Sequence, residues 1–366
     1  MHYHLIMTHL CNSKCSYCFS KSIVEENDLN KKFRFNFSSP SSFKVDLLQL
    51  KKFIESDQEA VICFYGGEPL LEMEKIIEIM KNIDVPYRMQ TNGKLLDKMP
   101  IEWLNRIDKL LISIDGDKNR TDLNRGEGTY EVIMKNIEKV RLKGYKGEII
   151  ARMTLSFPDV YEQAIYLINN GFESIHWQID AGFYKCDFDE KKFATFVKEY
   201  KVSLEKLINY WIKHMKDSGK VIKIYPFLGI VDSLLKNEDT LLRCGAGHKG
   251  FAISTNGKIY PCPVMDYMED FIAGDISFKP SQLKKFYIEG DCLSCNYFKI
   301  CGGRCLYWNR TQLWPKKGNE MICKTIKHLI ELLKNSLPDI KEMLEEGRIN
   351  IDNLKYEKYF GPEIIP

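Results

Sequence analysis

The sequence predicts an α/β fold, an incomplete β/α barrel of six strand–helix units followed by a small cysteine-rich domain. Three observations carry this. Apolar runs alternate with amphipathic segments over the first 225 residues. The runs are short, as suits strands buried on both faces, and the segments between them carry a helical period. Seven of the twelve cysteines then fall between Cys244 and Cys323.

The runs His4–Thr8, Val61–Tyr65, Tyr87–Thr91, Lys109–Ile114, Glu148–Leu155 and Ser174–Ile179 read as strands. Glu72–Asn82, Tyr130–Lys143 and Val160–Asn170 read as helices between them. Repeated units of this kind imply a parallel sheet with right-handed crossovers. Reactive groups in barrels gather at the C-terminal ends of the strands. The polar stretch Ser22–Ser42 reads as a long loop or lid, or as disorder. Lys191–Lys216 reads as one long helix. Phe251–Ile253 and Ile259–Pro261 read as a hairpin around Asn256-Gly257. The expected division is a barrel over 1–230, a cysteine-rich domain over 231–326, and a tail over 327–366 that begins as helix.

The chain has 366 residues, 44% of them hydrophobic, so a sizeable core is available. A net charge of +3 is too small to argue for a nucleic-acid partner. No run of 18 apolar residues predicts a membrane span, and no signal-peptide pattern opens the chain. A cytoplasmic protein is expected, and cysteines in that setting read as metal ligands before disulfides.

The run Cys11-Asn-Ser-Lys-Cys15-Ser-Tyr17-Cys18 follows the first strand. Three thiolates in one loop suit three irons of a four-iron cluster and leave the fourth open for chemistry. A zinc site with His9 as fourth ligand is the alternative. The spacing, with Tyr17 before the third cysteine, resembles the signature of the radical S-adenosyl-L-methionine (AdoMet, SAM) enzymes. In that family the open iron chelates AdoMet, and one electron cleaves it to methionine and a 5'-deoxyadenosyl radical. The resemblance implies a TIM-like partial barrel and further AdoMet contacts at the strand ends. Tyr65-Gly66-Gly67-Glu68-Pro69 resembles the motif that receives the methionine amino group, although a strand–helix turn is its plainer reading. Thr91, Asn92, Ser113 and Asp115 would line the adenosine end. Arg152 would clamp the AdoMet carboxylate or make a structural ion pair. Arg125 marks either a substrate-facing loop or a helix entry.

The C-terminal pattern Cys244, Cys262, Cys292-x2-Cys295-x5-Cys301-x3-Cys305 and Cys323 resembles the SPASM domain, an auxiliary-cluster extension of these enzymes. The resemblance runs from residue 1 to about 326. It implies one auxiliary cluster on Cys292, Cys295, Cys301 and Cys323. A second would rest on Cys244, Cys262 and Cys305, making three [4Fe–4S] clusters in all. Some relatives carry an eighth cysteine before the position of Cys244, and 237–243 has none. An open iron, water, His248 or Cys186 would fill the gap. Cys63 reads as a core residue. His176-Trp177 reads as barrel interior or substrate contact. Asp180 and Asp266 are candidate bases, and Cys186 a candidate hydrogen donor.

The expected function is radical modification of a peptide or protein substrate, with a flavodoxin- or ferredoxin-type reductant. Formylglycine-forming maturases place an Asp directly after the cysteine matching Cys262, where this chain has Pro263. That argues against a sulfatase maturase. The chain reaches its first cluster by residue 11, leaving no room for a leader-peptide domain ahead of it. A radical SAM enzyme acting on a small molecule or in cofactor assembly, and a non-enzymatic iron–sulfur carrier or scaffold, are the other readings.

Overall fold

The computed structural model describes residues 1–19, 32–181, 188–359 and 366. The chain forms two units. The first comprises Met1–Ile114, Lys118–Ile150 and Gly245–Tyr287, and the second Asp115–Asp117, Ala151–Cys244 and Ile288–Pro366. The described strands are β1 (His2–Thr8), β2 (Val61–Gly66), β3 (Tyr87–Thr91), β4 (Ile107–Ser113), β5 (Glu148–Leu155), β6 (Ser174–Ile179), β7 (Lys223–Ile224), β8 (Gly250–Ile253), β9 (Lys258–Tyr260) and β10 (Gly274–Asp275). All six strands read from the sequence are present, within a few residues at each end.

In the first unit the strand order is β10-β9-β8-β1-β2-β3-β4. β1 to β4 pair parallel, with His4 opposite Cys63, Ile62 opposite Tyr87, and Met89 opposite Leu110. Leu5, Met7, Ile62, Phe64, Met89, Leu110 and Ile112 are fully buried, as in a parallel sheet covered on both faces. Helices α1 (Leu47–Glu55), α2 (Met73–Asn82), α3 (Ile101–Leu104), α4 (Lys118–Arg125) and α5 (Thr129–Leu142) complete this unit. α2 buries Ile76, Ile79 and Met80, one face at helical spacing. Asp46 caps α1 by accepting from the Gln49 N–H.

The hairpin read from the sequence is there, but its placement differs from the expectation of a separate domain. β8 lies parallel to β1, with His2 opposite Gly250 and Leu5 opposite Ile253. β9 returns antiparallel through a turn in which Gly257 has φ +87°. The physical reason lies in β1. Most of its residues are buried, and β2 satisfies only one of its edges, so the other needs a strand.

The second unit holds β5 from Ala151 onward, then β6 and β7, in that order. β7 pairs parallel to β6, with Ser174 opposite Lys223. Its helices are α6 (Val160–Asn169), α7 (Glu190–Ser218), α8 (Tyr225–Lys236), α9 (Phe298–Cys301), α10 (Leu306–Thr311) and α11 (Lys316–Glu345). α7 starts where Asp189 accepts from the Lys192 N–H and stops at Gly219, φ +66°. Its stripe of Val197, Tyr200, Leu204, Leu207, Trp211 and Met215 packs against α11, which buries Ile322, Ile326, Leu329 and Leu333. Among the described residues no helix is long and apolar enough to cross a membrane.

Candidate active site and cluster sites

The cysteine loop leaves β1 at Thr8 and is tied down from three directions, all within the first unit. The first is the turn after β2. The Gly67 N–H donates to the Thr8 carbonyl (2.7 Å), and the Glu68 N–H donates to that of Leu10 (2.9 Å). A Cβ on Gly66, φ +138°, would lie 2.4 Å from the Thr8 oxygen, and one on Gly67 2.2 Å from that of Leu10. The backbone these glycines admit is the chain's own cysteine loop.

The second tie comes from β3. Glu68 is fully buried, and its carboxylate accepts from the Leu70 N–H (3.0 Å), the Thr91 hydroxyl (2.7 Å) and the Asn92 N–H (2.7 Å). Burial pushes its pKa up, while these three donors pull the other way. Pro69, also buried, opens the short 3-10 turn that follows. The Asn92 side-chain nitrogen donates to Asn12 Oδ1 (2.7 Å) and reaches Cys11 Sγ at 3.8 Å. Sequence reasoning put Asn92 at the adenosine end and missed this contact with the first cysteine.

The third tie is the end of α4. The Ser16 N–H donates to the Asn124 carbonyl (2.8 Å), and the Arg125 guanidinium stands 5.4 Å from the centre of the Tyr17 ring. Of the two readings of Arg125, the structure shows a helix terminus packed on the cysteine loop. Cys11 is exposed, and Cys15 and Cys18 are half-buried. Cys63 is a core residue of β2, as expected.

Ser113 ends β4 and is half-buried. Asp115, in the second unit, is fully buried and accepts from the Thr154 N–H (2.9 Å). Arg152 on β5 donates to Gln178 Oε1 (2.7 Å) and meets His176 Nδ1, both side chains from β6. Trp177 is wholly buried and donates to the Tyr200 hydroxyl (3.0 Å), which settles it as interior packing.

Of the candidate bases, Asp180 is exposed just beyond β6. Asp266 is buried, with Oδ2 3.7 Å from His9 Nε2. Burial raises its pKa to about 6 and lowers that of His9 to about 4. The Tyr267 ring lies 4.7 Å from His9, and Tyr267 has φ +71°, a strained conformation for an aromatic residue. Cys186 and residues 22–31 of the expected lid lie outside the described residues. The rest of that stretch is irregular, with Phe35 bridged to Met268 and Ser42 to Thr8. His248 is half-buried in the first unit, its Nδ1 3.4 Å from the Ala246 carbonyl oxygen.

In the second unit Cys292, Cys295, Cys301 and Cys323 line one cavity, with Tyr297, Arg304, Trp308 and Asn319. Burial, reinforced by Cys323, Cys301 and Cys295, pushes the Cys292 thiol up to about 11. Four mutually repelling thiols around one cavity is an arrangement that a cationic centre relieves. Among the described residues no three Cys, His, Asp or Glu groups close on a point that would hold a lone ion. Four cysteine sulfurs around one cavity are a donor set that suits a four-iron cluster. Asn309 fixes the segment, bonding both backbone groups of Glu289 (2.9 Å each) and reaching Cys292 Sγ at 3.9 Å. Cys244 and Cys305 belong to the second unit and Cys262 to the first.

A cysteine loop at the end of β1, anchored by the ends of β2 and β3, joins a four-cysteine cavity in one α/β chain. Residues 5–177 match the Radical SAM superfamily, which with the relatives below supports reading the chain as a radical SAM enzyme; the cysteine-rich part lies C-terminal to that match. It is 24% identical over 340 residues to a "Cysteine-type anaerobic sulfatase-maturating enzyme" of Clostridium perfringens, covering 81% of this chain and 85% of that one. It is 21% identical to the "Radical SAM cyclopropyl synthase TigE" of Paramaledivibacter caminithermalis, covering 90% and 74%. Among solved structures it shares its fold with native anSMEcpe with bound AdoMet, at a TM-score of 0.71 and 20% identity over 93% of this chain and 100% of that chain. Streptococcus suis SuiB bound to precursor peptide SuiA matches at a TM-score of 0.55 and 16% identity, covering 83% and 71%.

Proposed function

We propose that this enzyme modifies a peptide or protein by radical chemistry, with three [4Fe–4S] clusters. The observation that carries the reading is the four-cysteine cavity of the second unit, a second set of cluster ligands in addition to the cysteine loop of the first. Relatives whose names or ligands are peptides or proteins support that class of substrate.

A cluster on Cys11, Cys15 and Cys18, with AdoMet, supplies the 5'-deoxyadenosyl radical that takes a hydrogen atom from the substrate. The rest falls to the chain's own residues. Asn92 and the Gly66–Glu68 turn hold the cysteine loop. Glu68 uses three of about four acceptor sites on its own donors, leaving capacity for an ammonium group. Ser113 and Asp115 would bind the AdoMet ribose, and Arg152, which bonds Gln178 and His176, would bind its methionine carboxylate. Cys292, Cys295, Cys301 and Cys323 hold one auxiliary cluster. Cys244, Cys262 and Cys305 would hold the other. Clusters there would supply an electron acceptor or a binding point for the substrate, for a thioether or other crosslink, or an oxidation. Pro263, where the maturases have Asp, favours a product other than formylglycine. The reductant is of flavodoxin or ferredoxin type, and the setting is cytoplasmic.

The test is iron and sulfide per chain after anaerobic reconstitution, in the wild type and a Cys11/Cys15/Cys18→Ala variant. About twelve irons should fall to about eight. About four in the wild type, or zinc in the C-terminal part, would defeat the auxiliary-cluster reading. Failure to bind AdoMet in calorimetry would leave only an electron carrier. A mass shift on a short Cys-containing peptide encoded beside the gene would identify the substrate, and a shift on small molecules alone would move the substrate class.

A further inference from the structure

The cavity lined by Cys292, Cys295, Cys301 and Cys323 contains more than thiols. Arg304 Nε and Trp308 Nε1 are buried among its lining residues, and neither has a hydrogen-bond partner among the described residues. Leaving a buried donor unpaired costs its full desolvation, so two in one small cavity need an acceptor. Both sit on short structures next to a cysteine. Trp308 lies on α10, directly after Cys305. Arg304 precedes Cys305 at φ +51°, a strained conformation for a side-chain-bearing residue. The thiols already have other donors. The Gly303 and Arg304 backbone N–H groups face Cys301, and the Asn309 amide faces Cys292. The positive ends of Arg304 and Lys327 face Cys323.

We propose that Arg304 Nε–H and Trp308 Nε1–H donate hydrogen bonds to sulfur atoms of the cluster bound in this cavity, and that they raise its reduction potential. The inference rests on the reading that these four cysteines hold an iron–sulfur cluster. Hydrogen bonds to cluster sulfurs and nearby positive charge stabilise the more negative, reduced state, so the potential moves up. Arg304 contributes charge as well as a donor, whereas Trp308 contributes a donor alone. The two contributions are therefore separable by substitution.

The experiment uses the full chain in the Cys11/Cys15/Cys18→Ala background, reconstituted anaerobically. A Cys292→Ala/Cys323→Ala variant identifies which electron paramagnetic resonance (EPR) signal belongs to the cavity. EPR-monitored redox titration is then run on Trp308→Phe, Arg304→Lys and the double variant. Iron and sulfide should stay at the background level in each. The potential of the cavity signal should move down in each single variant. In the double variant the reduction equilibrium should fall about tenfold, which is about 59 mV for one electron. Full iron with unchanged potentials would overturn the proposal. If Cys292→Ala/Cys323→Ala removes no iron, the underlying cluster reading fails instead, and the two failures are thereby distinguished. Should a variant not hold its iron, wild-type chain labelled with 15N-indole tryptophan decides. An electron spin-echo coupling from labelled nitrogen to the cavity cluster supports the bond, and its absence overturns it.

Discussion

The Asn92 backbone N–H donates to the Glu68 carboxylate at 2.7 Å, while the Asn92 side chain reaches Cys11 Sγ at 3.8 Å. A buried carboxylate and the first cluster cysteine are thus coupled through one asparagine. Glu68→Gln places an amide N–H against one of three fixed donors in a fully buried site. It should destabilise the chain by about 1–3 kcal/mol in urea unfolding. AdoMet affinity, read by calorimetry, should fall too. Thr91→Val, which removes one donor, should cost only about 1 kcal/mol.

Gly67→Ala should separate fold from cluster. Its Cβ would stand 2.2 Å from the Leu10 carbonyl oxygen, so the cysteine loop has to move. The expected cost is about 1–3 kcal/mol. Iron analysis should show about four irons fewer, with the C-terminal sites still filled. Iron equal to that of the wild type would mean the loop accommodates the methyl group.

Asn309→Ala should act at the other end of the chain. It removes both bonds to Glu289 and the contact with Cys292 Sγ. About 1–3 kcal/mol of local stability should be lost. Cluster iron in the Cys292–Cys323 cavity should become labile to chelator, while AdoMet binding is unchanged.

Asp266 predicts a pH signature in the metal-free chain. Its folded pKa, raised to about 6 from 3.8 by burial, means the folded state holds the proton more tightly than the unfolded one. Its stabilising contribution is therefore present below pH 4 and is lost as pH rises through 6. Ser254, Tyr260, Tyr267 and His9 face it. His9, lowered to about 4, acts in the opposite sense, losing stability as pH falls from 6.5. Comparing wild type with Asp266→Asn cancels the His9 contribution. Relative to the variant, the wild type should lose roughly 2 kcal/mol between pH 4 and pH 6. A flat difference in denaturant midpoints would show the Asp266 carboxyl to be better solvated than its burial implies.

Much of this was legible in the sequence because it lies in strong patterns. Val61–Tyr65 and Tyr87–Thr91 are continuous apolar or β-prone runs, and the long α7 stripe repeats at helical spacing. α4 was not legible. Its sequence, Lys118-Asn-Arg-Thr-Asp-Leu-Asn-Arg125, has no apolar face, and it buries Thr121, Asn124 and Arg125 instead. β7 is two residues long and gives no period at all. The cysteine spacings were readable as ligand sets, but the supports were not. Asn92, Asn309, Arg304 and Trp308 act through contacts that only folding brings together. Gly66 and Gly67 were visible as a site that demands space, although what fills that space was not.

The pairing of β8 with β1 has a consequence for synthesis. β1 is the first strand made, and its second neighbour, Gly250–Ile253, is among the last strands. Until then β1 has an open edge, bearing the apolar run Leu5-Ile6-Met7 beside a loop of three free thiols. Contacts so distant along the chain form slowly, and an unpaired apolar edge invites association with other nascent chains. A fragment stopped near residue 230 would keep that edge permanently. The barrel half of this enzyme is therefore expected to need its C-terminal hairpin to stay soluble, quite apart from any need for it in catalysis.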